Sequence, residues 1–370
     1  MGYRIYPCEQ SRCFVGSFTG EIKMVPSGSS ATFLVVNGVP FTGDVPPVKT
    51  FLYETTGAYT TTRTHGGASI VLFWERHLRR LVQSARILAE SCPSIFLPVE
   101  SVPTALSPAL IDSLPDLVDD SLRFGLGLAL SERNRTRNDG ELAITALVRG
   151  CHDAIGLDVF LHIGFFIPSL FGAVGAHLAV VGPGRELAEA KCSNWVRIRE
   201  DLEKMKPLSA TELLLTNDGD RILEGTVTNF FVIRTKVVNG LTDSPSSDLE
   251  SSYSFVVQTA PISDGVLPGV IRQLVIEVCS SMDIPVEEVA PSWSDHELWQ
   301  EAFITSSLRL VQHVETIQFP TPFKELKLRT SKDISWITKR FKGVGCITRR
   351  IQNEISNRVE VDAFKISQVV

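Results

Sequence analysis

Strand-like and helix-like segments follow one another along most of the chain. The strand-like segments are rich in β-forming residues, and the helical ones repeat apolar side chains every three or four positions, as in Leu78, Leu81, Ala85 and Leu88. The strand-like segments include 58–64, 142–148, 157–167 and 176–181, and the helical ones include 74–89, 111–131, 195–205 and 270–282. Strands that alternate with helices in both halves predict an α/β or α+β fold.

The chain is long enough for two domains. It has 370 residues, whereas a domain commonly has about 100–200. The Pro- and Gly-containing segment 168–172 interrupts the pattern and is the predicted boundary. The predicted organisation is a poorly structured segment 1–31, a small α/β domain 32–170, a larger domain 171–318 and a partly helical extension 319–370.

Charge and cysteine usage exclude several classes of protein. The net charge of −6 argues against a nucleic-acid or anionic-membrane surface as the main partner. The seven cysteines form no C-x-x-C pair and no zinc-like spacing, so neither a disulfide framework nor a metal site is expected. The apolar region 154–182 is interrupted by Asp158 and Pro168, so we expect no membrane span. The predicted location is the cytoplasm, with organellar import through residues 1–31 left open as an alternative.

Six short motifs occur in a fixed order. They are AYTTTR (58–63), HLRRL (77–81), KCSN (191–194), EGTVTNFF (224–231), GVLPG (265–269) and FITSS (303–307). Together they resemble class IV aminotransferases, the fold-type IV pyridoxal-phosphate enzymes, over residues 33–317. That family includes branched-chain and D-amino-acid aminotransferases and aminodeoxychorismate lyases. The resemblance implies a small N-terminal α/β domain, a larger C-terminal pseudo-barrel domain, pyridoxal 5′-phosphate as cofactor and a homodimer.

Lys191 and Glu224 are the residues that carry the chemistry in this resemblance. An isolated lysine is usually a solvated surface residue, but Lys191 begins the K-x-x-N motif and lies 33 residues before Glu224, as in the family. Lys191 would hold the cofactor and then move a proton between the substrate's α-carbon and the cofactor. Glu224 would keep the pyridine nitrogen protonated, and Tyr59 would face the substrate.

The remaining motifs imply a site for the cofactor phosphate. Arg80 matches the arginine of the family's H-x-x-R-L motif, whereas its neighbour Arg79 is expected to be a solvated helix charge. The start of the helix predicted from residue 270 would supply backbone N–H groups, and a serine pair would supply hydroxyl groups. The residues assigned to these roles are Gly269, Val270, Ile271, Ser306 and Ser307.

Some positions depart from the family's pattern. Ile271 replaces a hydroxyl residue, Trp195 replaces a tyrosine of the branched-chain enzymes, and Thr60 stands where a glutamate is common. The Arg/His pair that holds a substrate carboxylate in D-amino-acid enzymes has no clear counterpart after Arg149, and His152 is more typical of a structural histidine. The sequence therefore leaves the substrate and its stereochemistry open.

Amino-group transfer between a small amino acid and a 2-oxo acid is the predicted function. Two alternatives stay open: a lyase of the aminodeoxychorismate lyase type, and a family member that binds the cofactor with little turnover. Retention of both Lys191 and Glu224 weighs against the second alternative, whereas Ile271 and Trp195 favour it.

Overall fold

The computed structural model describes residues 32–97, 107–151, 155–237, 253–321, 323, 334–362 and 364–368. The helices are α1 (Val48–Glu54), α2 (Trp74–Ser91), α3 (Pro108–Asp112), α4 (Leu114–Thr136), α5 (Trp195–Glu203), α6 (Val270–Ser281) and α7 (Cys346–Val361). The strands are β1 (Thr32–Val36), β2 (Val39–Pro40), β3 (Ala58–His65), β4 (Ile70–Val71), β5 (Glu141–Gly150), β6 (Leu157–Phe166), β7 (Ala176–Val181), β8 (Glu212–Thr216), β9 (Ile222–Gly225), β10 (Asn229–Val237), β11 (Tyr253–Thr259), β12 (Val286–Glu288), β13 (Trp299–Ser306), β14 (Leu310–Thr321), β15 (Ser335–Arg340) and β16 (Phe364–Lys365).

The first sheet contains seven strands in the order β16-β4-β3-β5-β6-β1-β2. The turn between β3 and β4 contains Gly66 and Gly67, whose φ angles of 66° and 69° lie in the region that favours glycine. Helix α2 follows β4 and buries the apolar face predicted from its sequence, including Leu78, Leu81 and Leu88. This face forms one core with the buried side chains of α4, β5 and β6.

The second sheet curls into a closed ring. Its strands follow the order β12-β11-β10-β13-β14-β7-β8-β9, and β9 also pairs with β10. The closing pair joins Glu224 to Asn229, so two residues of one sequence motif lie at the seam. Side chains alternate across β10: Phe230 and Val232 face the core inside the ring, whereas Phe231 and Ile233 face α6 and α7.

The chain's last segments connect the two sheets. Helix α7 packs against α6, β13 and β14, and β16 then pairs with β4 of the first sheet. The apolar side chains that α7 buries against α6 are Ile347, Ile351, Ile355 and Val359. Helix α7, which lies in the extension predicted to be partly helical, is thus an integral part of the fold.

The α/β architecture with a barrel-like second sheet is confirmed. The helical segment predicted at 111–131 corresponds to α3 and α4. No predicted segment corresponds to α1, β11, β12, β14 or β15. The segment 1–31, predicted to be poorly structured, lies wholly outside the described residues. The domain boundaries stay a prediction. None of the helices in the described ranges is both long and apolar enough to cross a membrane.

Candidate active site

A cavity of about 500 Å³ lies between the two sheets. Its walls include residues of β3, β5 and β6 from the first sheet and residues of β10, β13 and α6 from the second part of the chain. Most of the predicted site residues line it together: Tyr59, Arg80, Lys191, Gly269, Val270, Ile271, Ser306 and Ser307. Glu224 lies behind the wall, bonded to residues that line the cavity.

The Lys191 segment is bonded to the first sheet by backbone contacts. The carbonyl of Lys191 accepts a 2.9 Å hydrogen bond from the Tyr59 N–H, and the Lys191 N–H donates to Ser84 Oγ at 3.1 Å. Ser193 Oγ accepts from the Gly57 N–H at 2.9 Å and donates to the Thr55 carbonyl at 2.6 Å. These bonds fix the Lys191 backbone beside β3 and direct its side chain into the cavity.

Lys191 lies among cationic and aromatic neighbours. Its Nζ atom lies 4.6 Å from the centroid of the Tyr59 ring. Burial first, and then the charges of Arg80, Arg185 and Arg199, hold the pKa of Lys191 well below its ordinary value. A lowered pKa favours the neutral amine, which is the form that attacks an aldehyde or accepts a proton.

Glu224 is a buried carboxylate whose oxygens are fully engaged. Arg185 donates from Nε and Nη2 to Glu224 Oε1 at 2.8 and 2.6 Å. The Leu267 N–H and the Asn229 side-chain amide donate to Oε2 at 3.0 and 3.3 Å. Burial raises the pKa of Glu224, while the Arg185 charge and these hydrogen bonds oppose that rise. Arg185, Asn229 and Leu267 themselves line the cavity, so Glu224 lies directly behind its wall.

Arg80 lies at a polar end of the cavity. It donates from Nη2 to Thr60 Oγ1 at 2.8 Å, and Thr60 Oγ1 lies 2.8 Å from His77 Nδ1. The Arg80 Nε atom is buried without a hydrogen-bond partner, and burial lowers the pKa of Arg80 to about 10. Arg79, one residue earlier, is exposed and donates only to the Glu75 carbonyl, at 3.4 Å. The two neighbouring arginines therefore have different environments.

Helix α6 begins at the cavity wall. Gly269 precedes its first turn, and a Cβ at this position would lie 2.1 Å from Asn229 Oδ1, so only glycine fits there. The first N–H groups of a helix have no partner within the helix. The Ile271 side chain points into the apolar core with α7, so Ile271 offers the cavity its backbone. Thr305 also lines the cavity, and its buried hydroxyl has no hydrogen-bond partner.

Two of the departures noted in the sequence have a structural explanation. The Trp195 indole donates to the Thr226 carbonyl at 2.7 Å, so its N–H is not available to a ligand. Thr60 bonds to Arg80 and so positions that arginine. Arg149 lies outside the cavity, with its Nε 3.9 Å from Asp158 Oδ2 and its guanidinium over the Phe160 ring. His152 lies outside the described residues.

Comparison with known proteins places the Lys191 region in a family. Residues 167–317 match the sequence model described as amino-transferase class IV. In sequence, these residues resemble the class IV aminotransferases. They contain Lys191, Glu224, the start of α6 and the serine pair of the FITSS motif, whereas Tyr59 on β3 and Arg80 on α2 precede them in the chain.

Solved structures show the same fold over nearly the whole chain. A hypothetical aminotransferase from Mycobacterium tuberculosis, in its apo form, is 15% identical and covers 90% of this chain and 100% of its own, with a TM-score of 0.58. The branched-chain aminotransferase of Thermoproteus uzoniensis, solved with norvaline, is 17% identical, covering 90% of this chain and 99% of its own with a TM-score of 0.57. The branched-chain amino acid aminotransferase of Escherichia coli is also 17% identical, covering 91% and 99% with a TM-score of 0.55. No curated protein sequence matches the chain significantly. At sequence identities of 15–17%, the similarity to these solved structures shows the fold.

The cavity fits pyridoxal phosphate. The unpartnered Arg80 Nε, the unpartnered Thr305 hydroxyl and the free N–H groups of α6 are donors suited to a phosphate. Lys191 is an amine with a lowered pKa, and Glu224 is a buried carboxylate beside it. Donors for an anion, a neutral amine and a carboxylate are the three groups that the cofactor requires.

Among the polar cavity residues that sequence reasoning missed are Arg185, Arg199 and Thr305. Thr305 belongs to the FITSS motif, and its position one residue before the assigned serines was the available signal. Arg199 follows Trp195 by four residues and so lies on the same face of α5, which was a weaker signal. Arg185 had no signal in the sequence, because its partner Glu224 is 39 residues away.

Proposed function

We propose that the chain is a pyridoxal-phosphate-dependent aminotransferase that acts on a small amino acid and a 2-oxo acid. The observation that carries the proposal is Lys191, a cavity lysine whose pKa is lowered by burial and three arginines. Its surroundings supply a phosphate-binding end at Arg80 and α6, and a buried carboxylate at Glu224.

Each end of the cavity would bind a different part of the cofactor. Arg80, Thr305 and the first N–H groups of α6 would bind the phosphate, with Ser306 and Ser307 beside them. Lys191 Nζ would bind the aldehyde, and Glu224 would face the pyridine nitrogen. When bound, pyridoxal phosphate supplies an electron-withdrawing ring that stabilises negative charge at the substrate's α-carbon.

Lys191 would act as the proton carrier. Its Nζ, in the neutral form, would accept the proton that leaves the substrate's α-carbon and hold it for transfer. The Tyr59 ring beneath Nζ restricts where the amine can lie, and burial raises the pKa of the Tyr59 hydroxyl so that it stays protonated. Arg185 donates to one oxygen of Glu224, and its charge opposes the burial that raises the pKa of Glu224.

The likeness to branched-chain aminotransferases supports transfer over elimination. Two of the structures described above are branched-chain aminotransferases, one of them with the small amino acid norvaline. Apolar side chains such as Val48, Leu52 and Val196 line the cavity on the side of α1 and α5, which suits a small apolar substrate part.

The proposal is tested by locating the cofactor and following its spectrum. Borohydride reduction of the loaded protein, followed by peptide mass mapping, should place the pyridoxyl group on Lys191. A panel of amino acids should convert the bound cofactor to its amine form, and 2-oxoglutarate or pyruvate should reverse the change. An adduct on a different lysine would contradict the assignment. Product release with the aldehyde form persisting would indicate a lyase, and an unchanged spectrum with every substrate would indicate a binding protein.

A further inference from the structure

The cavity is lined by more positively charged side chains than the proposed cofactor site uses. The basic residues that line it are Lys49, Arg80, Arg185, Lys191, Arg199 and Arg309, and no Asp or Glu occurs among its described lining residues. In the proposed function Arg80 serves the phosphate, Arg185 serves Glu224, and Lys191 serves the aldehyde. Three cations therefore have no assigned role.

The three cations without an assigned role are Lys49, Arg199 and Arg309, and their surroundings differ. Arg309 donates to the buried carboxylate of Glu212 at 2.5 Å, so its charge is neutralised behind the wall. The Lys49 side chain is 60% exposed and lies at the cavity mouth. The Arg199 side chain is only 13% exposed and lines the same cavity as Lys191. Arg199 is therefore the enclosed cation without a dedicated partner.

Glu203 is shared between Arg199 and Lys49. Its Oε1 lies 3.0 Å from Arg199 Nε, and its Oε2 lies 3.2 Å from Lys49 Nζ. Two cations with one carboxylate leave a net positive charge at the junction of α1 and α5. A second carboxylate placed there would complete the pairing.

Arg199 lines the cavity together with Lys191 and Tyr59. Its charge lowers the pKa of Lys191 and opposes the burial that raises the pKa of Tyr59, so the guanidinium is within electrostatic reach of both. It comes from α5, one turn after Trp195, whereas Arg80 approaches from α2. The cavity thus has two cationic positions supplied by different helices.

We propose that Arg199 binds the carboxylate of the substrate, so that the enzyme takes amino acids rather than simple amines. The inference rests on the proposed function, because the substrate's amino group has to reach Lys191. A guanidinium binds a carboxylate through two parallel N–H donors, which fixes the orientation of the α-carbon as well as its distance. Glu203 competes for the same guanidinium and so weakens its hold on the substrate.

The first test measures binding without reaction. Isothermal titration of the loaded protein with 4-methylpentanoate and with the uncharged 4-methylpentanamide separates the charge from the shape of the ligand. Arg199→Gln should weaken carboxylate binding by about 10- to 100-fold, the effect of losing a charge-assisted bond, and should leave amide binding unchanged. Glu203→Gln should strengthen carboxylate binding, a result that a purely structural role of Arg199 does not predict.

Matched variants keep the test decisive. Arg197→Gln is the control on the same helix, because Arg197 donates to the Tyr53 carbonyl and is absent from the described cavity wall. Arg199→Lys keeps the charge and should give intermediate binding, which covers the case in which Arg199→Gln does not fold. Equal carboxylate binding by wild type and both Arg199 variants would overturn the inference.

A second measurement separates this inference from the proposed function. Arg199→Gln should raise KM for leucine more than Arg199→Lys does, whereas Arg197→Gln should leave KM for leucine unchanged. If the cofactor maps to Lys191 and leucine kinetics do not depend on Arg199, the inference is wrong and the proposed function stands. If carboxylate binding depends on Arg199 and no amino acid changes the cofactor spectrum, the proposed function is wrong and the carboxylate site stands.

Discussion

Adjacent arginines on α2 show how much one step along a helix changes the role of a side chain. Arg80 points toward the cavity, where its Nε has no partner and burial lowers its pKa to about 10. Arg79 points to solvent. Thr60 and His77 hold the Arg80 guanidinium in place before any ligand binds, so little ordering is needed on binding.

We expect Arg80→Gln to weaken pyridoxal-phosphate binding by about 10- to 100-fold. A charge-assisted bond to a phosphate in a partly desolvated site contributes roughly 1.5–3 kcal/mol, and each 1.4 kcal/mol is tenfold in affinity. Titration of cofactor-free protein, followed by the cofactor's absorption, measures the change. Arg79→Gln is the matched control and should have affinity within about twofold of wild type. Similar losses in the two variants would show that the phosphate lies elsewhere.

The residues that the sequence predicted share one property, which is that each belongs to a local motif. Lys191, Gly269 and the serine pair lie in short patterns whose neighbours identify them. Arg185 and Arg199 lie in no such pattern. On α5, Arg197 donates to the Tyr53 carbonyl of α1, whereas Arg199 lines the cavity. Since α1 itself was not predicted, the contact that separates Arg197 from Arg199 could not be predicted either.

Among the secondary-structure elements, the strands that the sequence did not predict are those in which apolar and polar residues alternate only weakly. Strand β14 contains His313, Glu315 and Pro320 among its apolar residues. Strand β15 pairs only with β14 in the described sheet, and most of its side chains are exposed. Strand β12 has three residues, and its parallel pairing with β11 joins distant parts of the chain. The formation of such strands depends on the strands with which they pair rather than on their own sequence.

Helix α7 starts where a strand of the second sheet supplies its cap. Glu301 on β13 accepts hydrogen bonds from the Ile347 and Thr348 N–H groups at 3.1 and 2.8 Å, and from Thr348 Oγ1 at 2.7 Å. A carboxylate at a helix N-terminus pairs with free N–H groups and with the helix dipole. Gly345 leaves room for it, because a Cβ there would lie 1.8 Å from Glu301 Cδ.

We expect Glu301→Ala to lower the free energy of unfolding by about 1–2 kcal/mol, the cost of losing a helix cap. Urea denaturation followed by circular dichroism measures it. Glu354→Ala is the comparison on α7 itself, because Glu354 pairs with Arg358 four residues later at a partly exposed site. An ion pair between residues four apart on a helix contributes about 0.3–0.5 kcal/mol to the free energy of unfolding. A larger loss for Glu354→Ala than for Glu301→Ala would contradict the capping role.

At the scale of the whole molecule, the cavity depends on both sheets being held together. Tyr59 and Thr61 on β3 form one wall, and Asn229 on β10 and Thr305 on β13 form another. The chain returns through α7 to β16, which pairs with β4, so the C-terminal residues join the two sheets around the cavity. The residues matched by the family model end at 317, yet this joining segment begins at 346.

The cavity also brings positively charged side chains together. Six Lys and Arg side chains line it, and none of its described lining residues is acidic. Burial and the neighbouring arginines lower the pKa of Lys191, so folding is coupled to loss of the Lys191 proton. Between this lowered pKa and the ordinary lysine value the unfolded state binds more protons than the folded state. The stability of the wild-type protein therefore rises with pH across that window.

We expect Lys191→Met to raise the Tm of the cofactor-free protein at pH 7 by about 2 °C or more, the shift that roughly 1 kcal/mol produces in a large chain. The variant has no proton to lose, so its advantage should narrow as the pH approaches about 10.4, the ordinary lysine pKa. Thermal unfolding of both proteins over this pH range measures the difference. Lys342→Met, which removes an exposed lysine, should change Tm by less than about 1 °C at every pH. A lower Tm for Lys191→Met at pH 7, or a difference independent of pH, would show that the folded protein holds Lys191 as the ammonium, because only an uncharged buried amine links folding to the loss of this proton.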